Sequence, residues 1–234
     1  MKTFVMGDIH GAYAKLLQCL QRSGFDHSTD RLIQLGDVAD RGDRVAECVD
    51  ELLGIKNLIA IRGNHDDWFN HFLLTGVHPV RWEQGGDATA RSYLRRIGKG
   101  KRAALRPADV PESHRRFFAG QRLYFIDESN NCFVHAGFDR HRPFGGQPPE
   151  IYFWDRELWT DALGHQFEKV AAFRQIFIGH TPTANWGVYK PMHAANIYNL
   201  DTGAGREGYL SIMDVATKKF WQSDATLLFP GELV

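Results

Sequence analysis

Five apolar segments in this 234-residue chain each end in a short polar turn that contains Asp, His or Asn. In the clearest case the run 58–61 leads through Arg62 into Gly-Asn-His-Asp at 63–66. An apolar run of about four to eight residues that stops at Gly-Asn is typical of a buried strand ending in a tight turn. Such turns place polar side chains at the carboxyl ends of strands, where open α/β folds form their sites. Alone, this motif is more typical of solvated loop residues than of a site.

The other four segments repeat the same arrangement. Their turns are Gly-Asp-Ile-His-Gly at 7–11, Gly-Asp-Val-Ala-Asp-Arg-Gly at 36–42, His-Ala-Gly at 135–137 and Gly-His-Thr at 179–181. Solvated loops do not produce five such turns by chance, so the set indicates a site. The first three strands are separated by helical patterns, which predicts a parallel sheet with right-handed crossovers.

Amphipathic patterns define the helices between these strands. Residues 13–23 carry leucines on one face, and Gly24 is suited to end that helix. We expect Asp43 to cap the second helix, which has an apolar stripe from Val45 to Leu53. The segment 68–122 interrupts the rhythm with aromatic and basic helical patterns, and we interpret it as a helical insertion or cap within a single domain 1–234.

The chain returns to strand patterns after residue 122. Strands at 123–126 and 132–135 flank Asn130-Asn131, which favours a hairpin turn. The Gly- and Pro-rich loop 138–149 has the length of an active-site rim. Further strands are predicted at 196–200, 209–215 and 219–222.

The order of the five turns closely resembles that of the phosphoprotein phosphatases, PPP-type serine/threonine phosphatases of the bacterial and phage-like branch of the calcineurin-like metallophosphoesterases. The matching motifs extend from residue 7 to residue 181. The resemblance implies an α/β fold with two β-sheets in a sandwich flanked by helices.

The resemblance also implies a dinuclear metal centre. Two divalent ions about 3.5–4 Å apart lower the pKa of a shared water and neutralise phosphoryl oxygens. In this family the metal-bridging hydroxide is the nucleophile, and the ions are expected to be Mn²⁺, with Fe or Zn as alternatives. The metal ligands that the resemblance implies are Asp8 and His10 for one ion, Asp37 as the bridge, and Asn64, His135 and His180 for the other.

Two further residue roles follow from the resemblance. His65 matches the family's general acid, which protonates the leaving alkoxide, and Asp40 would orient and charge its imidazole. Arg41 and Arg62 match arginines that grip the phosphate with paired donors.

Arg156 is a third candidate for phosphate binding. Trp154-Asp155-Arg156 resembles the Trp-x-Arg element of phage and bacterial members, although an ordinary surface arginine on a helix would show the same sequence. Asp201-Thr202-Gly203 resembles a turn found in bacterial members, and we assign it a structural role.

Three positions bear on alternative activities. Pro182 stands where related metallophosphoesterases have a second histidine, which agrees with the phosphatase branch. Asp66 stands where eukaryotic members have Glu, and it occurs in bacterial phosphatases and symmetrical diadenosine tetraphosphatases alike. Asp40 favours a phosphatase, since the tetraphosphatases tend to have Ala there.

The expected substrate is a phosphorylated protein or peptide; diadenosine tetraphosphate or another small phosphoester is the alternative. A catalytically silent phosphate-binding module would require a missing ligand or acid, and none is missing.

Composition narrows the partners and the environment. The chain has 28 basic and 28 acidic residues and no 18-residue apolar run, so we expect neither a nucleic-acid nor a membrane partner. Three scattered cysteines and the absence of a signal-peptide pattern at the N-terminus predict a cytoplasmic protein with reduced thiols.

The charge is unevenly distributed along the chain: residues 81–122 hold eleven Lys or Arg and four Asp or Glu, a net charge of +7. Either this segment is an ordinary solvated face, or it attracts anionic substrates.

Overall fold

The computed structural model describes residues 1–100 and 103–225, without the side chain of Arg81. Strands and helices alternate in the first part: β1 (Thr3–Met6), α1 (Tyr13–Ser23), β2 (Arg31–Gln34), α2 (Val45–Leu53) and β3 (Asn57–Ala60). Three helices follow, with 3-10 turns at Val80–Glu83 and Pro107–Asp109: α3 (Asn64–Thr75), α4 (Gly86–Arg96) and α5 (Glu112–Gly120). The last part contains β4 (Tyr124–Ile126), β5 (Asn131–Val134), α6 (Pro149–Trp154), α7 (Glu157–Leu163), β6 (Gln175–Ile178), a 3-10 turn at Thr183–Trp186, β7 (Met192–Ala194), β8 (Ile197–Asn199), β9 (Ser211–Asp214) and β10 (Phe220–Gln222).

These strands form two five-stranded mixed sheets in the described part of the chain, with orders β10-β9-β1-β2-β3 and β4-β5-β6-β8-β7. β1, β2 and β3 pair in parallel, as the strand–helix–strand pattern predicts. In the second sheet β5, β6 and β8 are parallel. The turn between β4 and β5 has Asn130 in the left-handed region at φ 60°, so the predicted hairpin is confirmed.

An apolar layer fills the space between the two sheets. Val5, Ile33 and Leu35 from the first sheet pack with Phe133 and Phe177 from the second, and all five side chains are fully buried. The rings of Phe133 and Phe177 stack with centroids 4.9 Å apart. Helices cover the outer faces, so the predicted α/β sandwich of two sheets flanked by helices is confirmed. This packing brings the carboxyl ends of β1, β2, β5 and β6 together at one edge.

The segment 68–122 shares its core with the first sheet's helices. Phe69 of α3, Tyr93 of α4 and Phe118 of α5 are fully buried in the same apolar cluster as Leu16 of α1 and Val45 of α2. Burying an aromatic side chain of this size contributes about 1.5–3 kcal/mol. The segment is therefore packed onto α1 and α2 through a shared core.

Two local predictions are wrong. Asp43 does not cap α2: the cap position is Arg44, it makes no side-chain cap hydrogen bond, and Asp43 instead pairs with Arg95 at 2.9 Å. Asn64 and His65 were predicted in a turn but are the first residues of α3, with Gly63 at the cap position. Aspartates in the first turn favour this helix because they face its unpaired N–H groups.

Ion pairs within the fold neutralise much of the basic segment. Arg95 contacts Asp43 and Glu47 at 2.9 Å each, and Arg96 contacts Asp50. These acids lie in or just before α2. The negative charges of α2 therefore face the positive charges of α4. Lys101 and Arg102, which contribute to the +7 charge, lie outside the described residues. Within the described ranges no helix has the length and apolar character needed to cross a membrane.

Candidate active site

The turns at the strand ends have unusual backbone conformations. His10, Asp37 and His180 have φ angles of 49°, 56° and 65°, in the left-handed region that non-glycine residues rarely adopt. Such strain persists only where the surrounding structure determines it, and it concentrates at functional sites. It aims these three side chains at a common point between the two sheets.

Asp37 lies at this common point, between His10 and His135. Its Oδ2 is 3.5 Å from His10 Nε2, and its Oδ1 is 3.5 Å from His135 Nε2. The backbone N–H of His65 also donates to Oδ1, at 3.0 Å. A Cβ on Gly63 would lie 2.1 Å from Oδ1, so only glycine allows this approach. Each carboxylate oxygen therefore faces a different imidazole, which is the arrangement required of a bridging ligand.

Backbone carbonyls fix the tautomers of two histidines. Nδ1 of His10 donates to the carbonyl oxygen of Ala39 at 2.8 Å, and Nδ1 of His135 donates to that of Leu35 at 2.7 Å. Because a carbonyl can only accept, each ring is left with a lone pair on Nε2. Burial lowers the pKa of both rings, which keeps them neutral, as metal ligands must be.

Several acceptor atoms face one another without a proton between them. His135 Nε2 lies 3.2 Å from Asn64 Oδ1, and both atoms are acceptors. Nε2 of His180 is buried and has no hydrogen-bond partner among the described residues. Ligand atoms of His10, Asp37 and His65 lie within 4.8 Å of one another, as do those of Asp37, His135 and His180. Two groups that share one carboxylate have the donors to hold a pair of divalent ions.

Asp8 is placed differently from the other predicted ligands. Both of its carboxylate oxygens lie 3.2 Å from the backbone N–H of His180, and it is in neither of those two groups. Burial and the charges of Asp201 and Asp37 hold its pKa well above the usual range. Burial also raises the pKa of Asp201, to about 6. The charge of Arg41 offsets part of the repulsion between these buried carboxylates, and a cation bound between them would offset more.

His65 and Asp40 form a buried hydrogen-bonded pair. Nδ1 of His65 donates to Oδ2 of Asp40 at 2.7 Å, and the two side chains are 3% and 0% exposed. Burial lowers the pKa of His65, but the charge of Asp37 and the bond to Asp40 outweigh it and hold the pKa above its usual value. The His65 ring therefore directs Nε2 towards the site and retains a proton more readily than a free imidazole does.

The three predicted arginines have different surroundings. Arg41 Nη2 lies 3.5 Å from His65 Nε2, inside the site. Arg156 Nη1 donates to Thr181 Oγ1 at 2.9 Å, and its charge helps to lower the pKa of His180. Arg62 instead donates to the carbonyl oxygens of Phe118 and Ala119 near the end of α5, each at 3.2 Å. The structure brings Arg41 and Arg156 to the metal-ligand groups, whereas the Arg62 side chain contacts α5 and, at 3.5 Å, Asp67 of α3.

Sequence reasoning missed three side chains that support the site. Trp82 and Thr89 both donate to Asp40, from the segment 68–122. Nζ of Lys15 donates to three carbonyls of the loop 203–208, which packs on His10. None of these lies in a strand-end motif, so spacing gave no signal for them.

Asp66 holds two strand-end turns together. Its Oδ1 accepts from the N–H groups of Val38 and Ala39 at 2.9 and 3.0 Å, and its Oδ2 accepts from Gln121 at 2.8 Å. Burial raises the pKa of this carboxyl to about 7. The residue after His65 therefore has a structural role in this chain.

A cavity of about 370 Å³ adjoins the site beside α6. Its lining includes Phe138, Ile151 and Trp154 together with the acids Glu150 and Glu157. The Trp154 ring lies 5.8 Å from that of His180, so one residue of the cavity wall contacts the second ligand group.

Comparisons with known proteins show which proteins this chain resembles. The serine/threonine-protein phosphatase 1 of Salmonella typhimurium is 26% identical over 221 residues, which cover 89% of each chain. The asymmetrical bis(5'-nucleosyl)-tetraphosphatase PrpE of Bacillus velezensis is 27% identical over 222 residues, covering 85% of this chain and 83% of PrpE. A solved structure provisionally assigned as a diadenosine tetraphosphatase superposes with a TM-score of 0.69 at 17% identity, covering 96% of this chain and 94% of that one.

The family itself is established over most of the chain. Residues 1–201 match the family described as calcineurin-like phosphoesterase. This range contains all five strand-end turns and both ligand groups. The chain therefore belongs to the calcineurin-like phosphoesterases.

Proposed function

We propose that this protein is a metal-dependent phosphomonoesterase that removes phosphate from phosphoserine or phosphothreonine in proteins. One observation carries the proposal: the buried pair of His65 and Asp40, joined at 2.7 Å, stands beside the candidate metal ligands His10, Asp37, His135 and His180. A proton donor next to a phosphate-activating centre is what cleavage of an alkyl phosphate requires, because the alkoxide is a poor leaving group.

The protein's own groups have separate tasks in this reaction. Arg41, beside His65, and Arg156, beside Thr181, bind phosphoryl oxygens through their paired N–H donors. His65 gives the proton on Nε2 to the leaving oxygen. Asp40 keeps the ring oriented through Nδ1 and stabilises its charged form. The α5 contacts of Arg62 use only its Nη2, so a phosphate-binding role would fall to its other N–H donors.

The metal ions would be held by the predicted ligands. His10 and Asp37, with Asp8 nearby, suit one ion, and Asp37, Asn64, His135 and His180 suit the other. Bound there, the ions supply an activated water and neutralise the phosphoryl oxygens. We propose Mn²⁺ as the metal, since carboxylate and amide oxygens suit it, with Fe or Zn as alternatives because imidazole suits them. We also propose that 68–122 is an insertion within one metallophosphoesterase domain, because it shares its core with α1 and α2.

Two observations favour a protein phosphatase. The phosphatase of Salmonella typhimurium matches 89% of the chain. Asp40 is present and paired with His65, whereas the resemblance to symmetrical tetraphosphatases predicts Ala at this position. A second candidate is hydrolysis of dinucleoside tetraphosphates, which the match to PrpE over 85% of the chain favours.

A substrate panel separates the two activities. The Mn²⁺-loaded protein is assayed against phosphoserine and phosphothreonine peptides, diadenosine tetraphosphate and an aryl phosphate, with His65→Asn as the matched variant. We expect the highest kcat/KM on the phosphopeptides, with release of inorganic phosphate. Turnover of diadenosine tetraphosphate at higher kcat/KM than any phosphopeptide would overturn the proposal and support the second candidate.

A further inference from the structure

Asp40 and Arg41 form a turn that is strained at two consecutive residues. Their φ angles are 72° and 67°, both in the left-handed region. For residues other than glycine this conformation is unfavourable, because Cβ comes too close to the following carbonyl oxygen. Neither residue can hold it alone, so neighbouring groups must stabilise it.

The stabilising groups come from the segment 82–89, which leads from the 3-10 turn Val80–Glu83 into the first residues of α4. The Asp40 N–H donates to Thr89 Oγ1 at 2.8 Å, and the Arg41 N–H donates to the carbonyl oxygen of Gly85 at 3.2 Å. Gly85 has a φ of 120°, and a Cβ there would lie 2.7 Å from the Arg41 nitrogen. Both N–H groups of the strained turn are therefore satisfied by this segment.

The same segment occupies one oxygen of the Asp40 carboxylate. Trp82 Nε1 donates to Oδ1 at 2.9 Å, and Thr89 Oγ1 donates to it at 2.7 Å. Both donors are buried, at 3% and 0% exposure. An indole N–H can only donate, so this contact requires an acceptor on Asp40. Because Oδ1 already accepts two hydrogen bonds, Oδ2 is left to accept the one from His65.

We propose that Trp82 and Thr89 are positioning residues for proton donation, acting through Asp40 on His65. This inference rests on the proposed role of His65 as general acid. By fixing the Asp40 carboxylate, the two side chains set the direction of the His65 ring and hold its Nδ1–H in one hydrogen bond. The segment 82–89 thus contributes to the chemistry even though it touches neither ligand group in the described contacts.

The proposal predicts a selective kinetic defect. Thr89→Val keeps the shape of the side chain but removes both bonds to Asp40, and Trp82→Phe removes the indole N–H. Each should lower kcat on a phosphoserine peptide by about 10–100-fold, the range seen when groups supporting a site residue are removed. KM and metal content should stay near those of the parent. The loss should be smaller on an aryl phosphate, because its leaving group needs little protonation.

Two variants of α4 serve as matched controls. Thr89→Ser retains the hydroxyl and should restore kcat. Ser92→Ala removes another buried hydroxyl of the same helix, which accepts the Ala46 N–H at 2.9 Å and does not contact Asp40. Its expected effect is on stability alone. For each variant, the loss of kcat on the phosphoserine peptide is divided by the loss on the aryl phosphate. If this ratio is the same for Ser92→Ala and Thr89→Val, α4 acts only as scaffold and the proposal is wrong.

A spectroscopic measurement tests the positioning without metal or turnover. In protein labelled with ¹⁵N-histidine, the Nδ1–H of His65 should give a downfield proton resonance that His65→Asn removes. Thr89→Val and Trp82→Phe should shift or broaden this resonance, while Thr89→Ser and Ser92→Ala leave it in place. An unchanged resonance in both Thr89→Val and Trp82→Phe would overturn the proposal.

The two proposals can fail separately. If His65→Asn loses equal activity on alkyl and aryl substrates, the general-acid role is wrong, and the resonance alone then decides whether the segment positions His65. If His65→Asn shows the expected selectivity but Thr89→Val and Trp82→Phe do not, the proposed function stands and this inference fails.

Discussion

The strand-end turns and the segment 68–122 contribute to the site in different ways. The turns supply the side chains that face the centre, and each turn holds its residue through local backbone geometry, as the positive φ angles of His10 and Asp37 show. The segment supplies none of the predicted ligands. It holds Asp40 through Trp82 and Thr89 instead, and its Arg95 and Arg96 pair with acids in or just before α2.

This difference shows what kind of residue a motif can reveal. A side chain that binds a metal must be of a particular type at the end of a strand, so its position is visible in the sequence. A side chain that supports it needs only a hydrogen-bond donor within reach after folding. Such a donor can come from any element, and its place is decided by packing.

The largest effect is expected at the centre of the strand-end turns. Asp37→Asn removes the charge shared by both ligand groups, and metal stabilisation of a phosphoryl transfer contributes several kcal/mol. Turnover should fall by more than roughly 10⁴-fold, and at least one metal should be lost on elemental analysis. Asp43→Asn, six residues further on and paired with Arg95, is the control and should keep both metals. Two bound metals and full activity in Asp37→Asn would refute the bridging assignment.

Loss of the proton donor should have a smaller and more selective effect. His65→Asn should lower kcat by roughly 10²–10⁴-fold on alkyl phosphates, with less loss on aryl phosphates and with metal binding retained. His114→Asn alters another buried histidine, one that contacts Tyr93 and Asp50 far from the ligand groups, and should leave this selectivity unchanged. An equal loss on both ester classes in His65→Asn would assign the residue another role.

The sequence predicted the fold class, the parallel strands and the set of residues at the strand ends. It did so because apolar runs ending in Gly-Asp or Gly-Asn report strand ends directly. Three features could not be read in this way. Asp43 has the composition of a helix cap, but its ion pair with Arg95 depends on how α4 packs on α2. Arg62 matches a phosphate-binding arginine, yet its contacts with α5 arise only in the folded chain. The net charge of 81–122 was visible, but its partners on α2 were not.

Lys15 lies outside the strand-end motifs, and replacing it tests whether it stabilises the loop that packs on His10. Its Nζ donates to the carbonyl oxygens of Ala204 and Gly208 at 3.0 and 2.7 Å, and a Cβ on Gly205 between them would lie 2.6 Å from His10. Lys15→Met should leave these carbonyls without their donor, at a cost of about 1–3 kcal/mol in the free energy of unfolding. Denaturant unfolding measures this, with Lys56→Met, an exposed lysine, as the control. Equal stability of the two variants would show that water replaces the lysine.

The smallest effect is expected from the arginines of α4. Arg95 and Arg96 are about 40% exposed and paired with Asp43, Glu47 and Asp50. Exposed pairs contribute at most roughly 1 kcal/mol each and often nothing measurable, so the loss of all three pairs in Arg95→Ala with Arg96→Ala should lower the free energy of unfolding by only about 1 kcal/mol. Because these charges are already neutralised by α2, KM for an acidic phosphopeptide and its salt dependence should not change. Arg116→Ala, which breaks a pair with Glu112 within α5, is the matched control. A higher KM for the acidic peptide with a weaker salt dependence, in the α4 variant only, would show that the segment attracts anionic substrates despite its ion pairs. The segment would then act on the reaction through its charge as well as through Trp82 and Thr89.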